Sequence, residues 1–145
     1  MLNVVYSKVR YNQLLEVKNL LQRCNLPFED IDAHFDNYLV GIVDNVIAGT
    51  IGFEAYGKIA LLRSMAVDIE YRNNGITNSL LRQIIKISKE NQIQTLFLLT
   101  TSAEDYFLKH GFEMIDRNSL PEVIKTTQEF QNICPDTAVC MKKQI

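Results

Sequence analysis

"YRNNGIT", Tyr71 to Thr77, stands between an apolar run that ends at Val67 and a long stretch of helical periodicity. Read by itself, the pair Asn74 and Gly75 is a hairpin-turn signal, because both residues accept positive φ at little cost. A hairpin needs a strand after its turn. The chain instead continues with Ile76, Leu80, Leu81, Ile84, Ile85 and Ile87, spaced mostly at three and four residues, which predicts an amphipathic helix from Ile76 to about Asn91. The stretch is therefore a strand–loop–helix junction. Such a junction aims the N–H groups of the helix's first turn, and the positive end of its dipole, at one point suited to an anion such as phosphate. Gly75 lets backbone amides approach without a Cβ in the way, and Arg72 adds a charged contact. A glycine serves an ordinary helix start equally well, so the surrounding chain has to decide.

Working outward, "VVYSKV" near the N-terminus alternates like a strand, and "LLEVKNLLQRC" places Leu14, Val17, Leu20 and Leu21 on one helical face. A polar connection, "PFEDIDAHFDN", leads to "YLVGIV", the turn "DN" and "VIAGTIGF", which together read as a hairpin. "KIALLRSMAV", Lys58 to Val67, is the strand that feeds the junction. Beyond the helix, "TLFLLTT" is a short buried strand, and "SAEDYFLKHGF" is a helix with Ser102 as N-cap and Gly111 as the positive-φ stop. Phe112 to Ile115 forms a further strand, Pro121 opens a helix through "PEVIKTTQEFQNI", and "TAVCMKK" is the last strand. The order β-α-(α)-β-β-β-α-β-α-β-α-β predicts an α/β fold with a mixed sheet.

Composition narrows the function. The 145 residues are 47% hydrophobic, enough to bury one core, and no repeat, low-complexity run or linker divides them, so residues 1–145 are expected to form a single domain. The formal charge is −2 and no block of Lys and Arg occurs, which argues against a nucleic-acid partner. The apolar runs "LFLL" and "IALL" are far shorter than the ~20 residues of a membrane helix, and "MLNVVYSKVR" is no export signal. Three cysteines, Cys24, Cys134 and Cys140, form no CxxC pair, so no disulfide framework is expected and a reducing cytoplasm fits. With His34 and His110 they make no zinc set, and no metal is expected.

The segment "VDIEYRNNGITNSLL" resembles the acetyl-CoA signature of the GNAT N-acetyltransferases, and "AEDYFLKHGF" resembles that family's second motif. Both occur in the family's order and spacing, over roughly Tyr38 to Phe112. "LPFEDIDAHF", "GFEAYGKIALLRSMAV", "LFLLTTSAEDYFLKHGF" and "PEVIKTTQEFQNICPDTAVCMKK" are similar to the small acetyltransferases associated with arsenic-resistance operons. "LLTTSAEDYFLKHGF" is similar also to the acetyltransferase domain of N-acetylglutamate synthases. The resemblance implies a mixed, mostly antiparallel sheet with helices on both faces, acetyl-CoA as co-substrate, and a small-molecule amine as acceptor. An exposed sheet edge in the C-terminal arm offers a route to a homodimer.

The resemblance also assigns residues. It implies that Met65, Ala66 and Val67 end a bulged strand whose backbone groups bind pantetheine and polarise the thioester carbonyl, as a bulge beside an active site can do. Arg72, Asn73, Asn74, Gly75, Ile76, Thr77 and Asn78 would cradle the pyrophosphate. Thr77 departs from the family's Gly or Ala and can donate a hydroxyl hydrogen bond instead. Many members place a tyrosine acid four residues before the Gly-Phe pair, where this chain has Phe107; Tyr106, turned about 100° around the helix, is a weak candidate acid.

Glu54, at the end of "TIGFE", is a candidate base acting through water, or else a solvated glutamate at a strand end. In histone-type relatives the base lies six residues before the valine, where Leu61 stands here, which argues against that mechanism. Arg63 interrupts an apolar strand and must meet an anion, either a core carboxylate or the carboxylate of a substrate. Thr100 and Thr101 either line the acceptor site or start the next helix. Cys134 and Cys140 suggest thiolate binding of trivalent arsenic, against which small buried residues is the favoured reading. The expectation is an acetyl-CoA-dependent N-acetyltransferase acting by direct attack in a ternary complex on a small amino-acid-like amine. The alternatives are a glutamate N-acetyltransferase and a non-catalytic acyl-CoA-binding module.

Overall fold

The hairpin turn that the sequence places at Asp44 and Asn45 is built from two left-handed residues, with φ of 48° and 64°, as a tight two-residue connection demands. It joins β2 (Tyr38–Val43) to β3 (Val46–Tyr56), and β1 (Val5–Lys8) pairs with the other side of β2, all antiparallel. This is a computed structural model that describes residues 2–133 and 137–145. Cys134 and Pro135 lie outside the described residues. The seven strands form one sheet in the order β1-β2-β3-β4-β5-β7-β6, where β4 is Ile59–Val67, β5 is Thr95–Thr100, β6 is Glu113–Ile115 and β7 is Val139–Gln144. β4 and β5 are parallel, with Ile59–Leu61 registered on Thr95–Phe97; β5 with β7 and β6 with β7 are antiparallel. Among the described residues no helix is long and apolar enough to cross a membrane.

The chain packs as two compact units, Met1–Glu54 with Arg63–Ile87, and Ala55–Leu62 with Ser88–Ile145. In the first, α1 (Leu14–Arg23) buries the predicted face of Leu14, Val17, Leu20 and Leu21 against Ile31, Tyr38, Val40 and Ile47. Gly49 on β3 lets α2 (Ile76–Glu90) lie close, since a Cβ there would come within 3.1 Å of Ile76 and Leu80. The ladder between β2 and β3 skips a residue at Gly41 and Ile42, and the carbonyl of the extra residue, Ala48, accepts a 2.8 Å bond from the Asp68 amide just past β4. The exit of β4 is thereby tied down.

The second unit is centred on Leu61, Phe97, Leu120, Ile124 and Cys140. Here α3 (Glu104–Lys109) corrects one expectation, because its N-cap is Ala103 and makes no side-chain cap bond. Thr100 instead holds the turn that leads into the helix, its Oγ1 accepting from the Ala103 amide at 2.9 Å and from the Ser102 amide at 3.4 Å. Gly111 is left-handed as predicted, with φ of 88°. The helix predicted after Pro121 is shorter: α4 spans only Glu122–Lys125, and a separate π-helical turn spans Glu129–Ile133. Thr127 stands between them, and its hydroxyl bonds back to the Ile124 carbonyl at 2.7 Å.

Tyr38, wholly buried, lies across Gly52 in the β2–β3 register, and a Cβ at Gly52 would sit 2.2 Å from its ring. Gly52→Ala is therefore expected to lower stability by about 1–3 kcal/mol in denaturant unfolding, the cost of overpacking a fixed aromatic ring. An unchanged midpoint would contradict this packing.

Candidate functional site

β4 organises the candidate site. Four of its residues in succession, Ala60, Leu61, Leu62 and Arg63, are buried, and Ser64 comes next with φ of 62°. A left-handed serine inside a strand marks a bulge and costs on the order of 1 kcal/mol, so its surroundings must hold it there. They do: Ser64 Oγ shares a 2.5 Å hydrogen bond with the hydroxyl of Tyr38 and accepts from Arg63 Nε at 3.3 Å. This left-handed residue lies immediately before Met65, Ala66 and Val67. Ala66 and Val67 are buried and Met65 is half-buried.

At the far end of β4 a cavity of about 310 Å³ is lined by Val67, Tyr71, Arg72, Asn73, Gly75, Ile76, Thr77 and Asn78. The loop over it turns on two left-handed residues, Asn73 (φ 66°) and Gly75 (φ 78°), rather than on the Asn74–Gly75 pair. Asn74 instead braces the loop, its amide donating to the carbonyls of Tyr71 and Arg72 at 3.0 and 3.1 Å. The first bond of α2 runs from the Ser79 amide to the Gly75 carbonyl, so the N–H groups of Ile76 and Thr77 have no acceptor within the helix. A Cβ on Gly75 would meet nothing within 4 Å, so the space beside it is open. Arg72 is exposed, with its Nε held by the Val67 carbonyl at 3.0 Å. Open space, unbonded amides, a helix dipole and an exposed guanidinium fit a pyrophosphate.

The second feature lies four residues back along β4. Arg63 is sealed from solvent and its guanidinium is shared: Asp30 accepts at 2.7 Å from both Nη1 and Nη2, and Glu54 Oε2 accepts from Nη1 at 2.6 Å. Of the two partners foreseen for Arg63, the structure supplies core carboxylates. Glu54 is not a solvated strand-end residue either, being 2% exposed, with its other oxygen, Oε1, 3.4 Å from His34 Nε2. Burial pushes the Asp30 carboxyl up, and the hydrogen bonds and charge of Arg63 outweigh it, so the group titrates below the ordinary carboxylate range. Asp30, His34 and Glu54 bring ligand-type atoms within 4.8 Å of one another, but the guanidinium already occupies both carboxylates and would oppose a cation there.

Asp30, His34, Tyr38 and Ser64 carry no signal of this site in the sequence. The charge of Arg63 demands a partner, yet nothing local names Asp30, which is 33 residues away. In the second unit, Tyr106 packs against His110 with ring centroids 4.3 Å apart, and burial raises its hydroxyl above the usual tyrosine value, so it stays protonated at neutral pH. Phe107 is buried against Phe112. Thr100 is committed to the start of α3, and Thr101 is exposed. Cys140 is buried and its thiol is pushed up by that burial, which leaves it a small core residue.

Residues 34–114 match the family model of the acetyltransferase (GNAT) domain. An amino-acid acetyltransferase of Buchnera aphidicola is 28% identical over 119 residues, 81% of this chain and 26% of that protein. The chain spans about a quarter of the length of the amino-acid acetyltransferases it matches. Among solved structures, N-acetylglutamate synthase from Neisseria gonorrhoeae, complexed with coenzyme A and N-acetyl-glutamate, superposes with a TM-score of 0.85 at 16% identity, over 99% of this chain and 35% of that one. An acetyltransferase of the GNAT family from Staphylococcus aureus Mu50 gives 0.78 at 22%, over 98% and 99%.

The ion network sets two expected outcomes. Arg63→Ala leaves two carboxylates buried without their counter-charge and is expected to cost about 3–5 kcal/mol in denaturant unfolding; a loss below about 1 kcal/mol would show the network to be dispensable. Asp30 titrates lower folded than unfolded, so its contribution is complete above the unfolded value near pH 4 and is lost as pH falls through the lower folded value. Asp30→Asn should therefore flatten the acid side of the plot of melting temperature against pH, and superimposable plots would contradict this.

Proposed function

Because the chain belongs to the GNAT acetyltransferase family, we propose that it is an acetyl-CoA-dependent N-acetyltransferase acting on the primary amine of a small amino-acid-like molecule. In this reading residues 1–145 make up one acetyltransferase domain. The observation that carries it is the cradle at the N-terminus of α2, where left-handed Asn73 and Gly75 open the cavity at the end of β4. The amides of Gly75, Ile76, Thr77 and Asn78 and the Arg72 side chain hold the pyrophosphate. Thr77, half-buried on the cavity wall, offers a hydroxyl where relatives have only a backbone amide. Met65, Ala66 and Val67 run alongside the pantetheine arm, and the bulge at Ser64 frees backbone N–H groups to polarise a carbonyl.

Acetyl-CoA supplies the acyl group in activated form, as a thioester. The chain's own part is to hold it beside the amine, polarise its carbonyl and remove a proton from the ammonium. Transfer is direct: the C–N bond forms as the C–S bond breaks, without a covalent enzyme stage. Buried Cys140 with its raised thiol is a poor nucleophile and supports that reading. Phe107 provides no acid, so the sulfur departs as thiolate, which a thiol of pKa about 8.5 tolerates. Tyr106 keeps its proton but is turned about 100° around the helix from Phe107, which leaves it a weak acid candidate.

Glutamate is the first acceptor to try, given what the relatives are named for. Arg63 does not argue for it, since its guanidinium is already shared by Asp30 and Glu54. The test is calorimetric titration with acetyl-CoA, then thiol release across amino acids and their phosphinate and arsonate analogues. Binding below millimolar and an acetylated product from at least one amine are expected, and Arg72→Ala should weaken binding about tenfold through loss of a charged hydrogen bond. No heat at millimolar acetyl-CoA would contradict the cofactor assignment. Binding without any product would identify an acyl-CoA-binding module.

A further inference from the structure

The pair Asn74–Gly75, which makes no hairpin turn here, keeps a reactivity of its own. Asparagine followed by glycine occurs once in the chain, at this pair. A peptide nitrogen that follows asparagine can attack the side-chain amide carbon, and glycine favours this because it carries no Cβ to hinder ring closure. The covalent bond between the residues keeps Asn74 Cγ and Gly75 N within reach of each other. Folding suppresses the reaction when it buries the pair or ties the nitrogen into a helix or a sheet. Neither holds here: both residues are exposed, they precede the first residue of α2, and the Gly75 N–H has no acceptor among the described residues. A Cβ at Gly75 would meet nothing within 4 Å, so no neighbour crowds the closing ring.

The side chain's place in the folded loop gives that reaction a consequence. Asn74 Nδ2 donates to the carbonyls of Tyr71 and Arg72 at 3.0 and 3.1 Å, and both bonds are exposed, so they open and reclose on the timescale of loop motion. They draw the loop back on itself just before the left-handed turn at Gly75, where φ is 78°. Asn73 and Gly75 line the cavity and Asn74 does not, so its side chain serves the shape of the loop. An ionised carboxylate in its place has no hydrogen to donate. Its oxygens would oppose the two carbonyl oxygens and set a negative charge in a loop shaped for an anion.

We infer that Asn74 is a deamidation site, and that its conversion to aspartate or isoaspartate dismantles the coenzyme cradle. The chemistry depends on the loop alone, and its effect on the coenzyme rests on the acetyltransferase reading above. Gly75 N gives up its proton and bonds to Asn74 Cγ as the Cγ–Nδ2 bond breaks, and Nδ2 leaves as ammonia, carrying a proton in exchange. The positive end of the α2 dipole favours the charge that gathers on the attacking nitrogen. Water then opens the cyclic imide. Cleavage at Cγ gives aspartate, and cleavage at the main-chain carbonyl gives isoaspartate, whose backbone is lengthened by the Cβ atom ahead of Gly75. Nothing is oxidised or reduced: amide and water become acid and ammonia. Bound coenzyme blocks the first step, because the Gly75 amide that would attack then donates to the pyrophosphate. The empty cradle degrades and the filled one is protected.

In the experiment the full chain is held at mildly alkaline pH, alone and with coenzyme A, and every asparagine is followed by peptide mass spectrometry with an isoaspartate assay. Alone, Asn74 should convert faster than any other asparagine, Asn73 and Asn78 included. Coenzyme A at about 100 times its dissociation constant should slow Asn74 at least about tenfold, since only the unoccupied fraction reacts. Calorimetry on Asn74→Asp should show coenzyme A bound at least about tenfold more weakly, with the melting temperature little changed. Asn74→Ala, which loses the brace without gaining a charge, should fall between that variant and wild type. Conversion of Asn74 no faster than that of Asn73 and Asn78 overturns the modification site. An Asn74→Asp chain that binds coenzyme A as wild type does overturns the effect on the cradle, and a rate unmoved by bound coenzyme A overturns the protection. A wild type that binds no coenzyme A overturns the cofactor reading and the protection with it, while the spectra of the chain alone still decide the chemistry.

Discussion

A guanidinium sealed inside the protein is the constraint to which the rest of this structure answers. Moving Arg63 from water into the core costs several kcal/mol before any partner is found, and its counter-charges must come close and stay close. Asp30 and Glu54 meet that demand at 2.6–2.7 Å. In doing so they pin a loop, the end of β3 and the middle of β4 to one another. The same side chain reaches Ser64 through Nε, which steadies the left-handed residue that kinks β4. Tyr38 closes the arrangement from β2, and the absence of a side chain at Gly52 leaves room for its ring.

That fixed geometry connects two kinds of chemistry on a single strand. Toward its C-terminal end, β4 delivers Val67 to a helix N-terminus shaped for an anion. Four residues earlier it carries the charge network that leads to His34. In the proposed reading, a pantetheine arm laid along the strand has its phosphates at one end and the charge network near the other. The strand, rather than any single residue, sets the distance between the cavity and the charge network.

Much of this is legible before folding. The 3.6-residue spacing after Gly75 announces α2, the pair Asp44–Asn45 announces its hairpin, and an arginine in "IALLRSMAV" announces a buried anion. These signals are local, or arise from the cost of burying one charge. Asp30, His34, Tyr38 and Ser64 give no comparable warning. Their roles arise from contacts across 20 or more residues of chain, or from a strand conformation unusual for serine. Glu54 is conspicuous in the sequence but its burial is not, because a strand end is solvated only when no loop folds over it. Ser102 loses the N-cap role to Ala103, since the helix begins one residue later than its capping signal suggests.

The central claim is that β4 and the start of α2 together form the coenzyme site. Amide chemical shifts of the labelled chain, monitored as coenzyme A is added, test it most directly. The predicted result is a set of saturable shifts concentrated at Gly75, Ile76 and Thr77 and along Met65 to Val67. Saturable shifts centred elsewhere, with these amides unmoved, would contradict it.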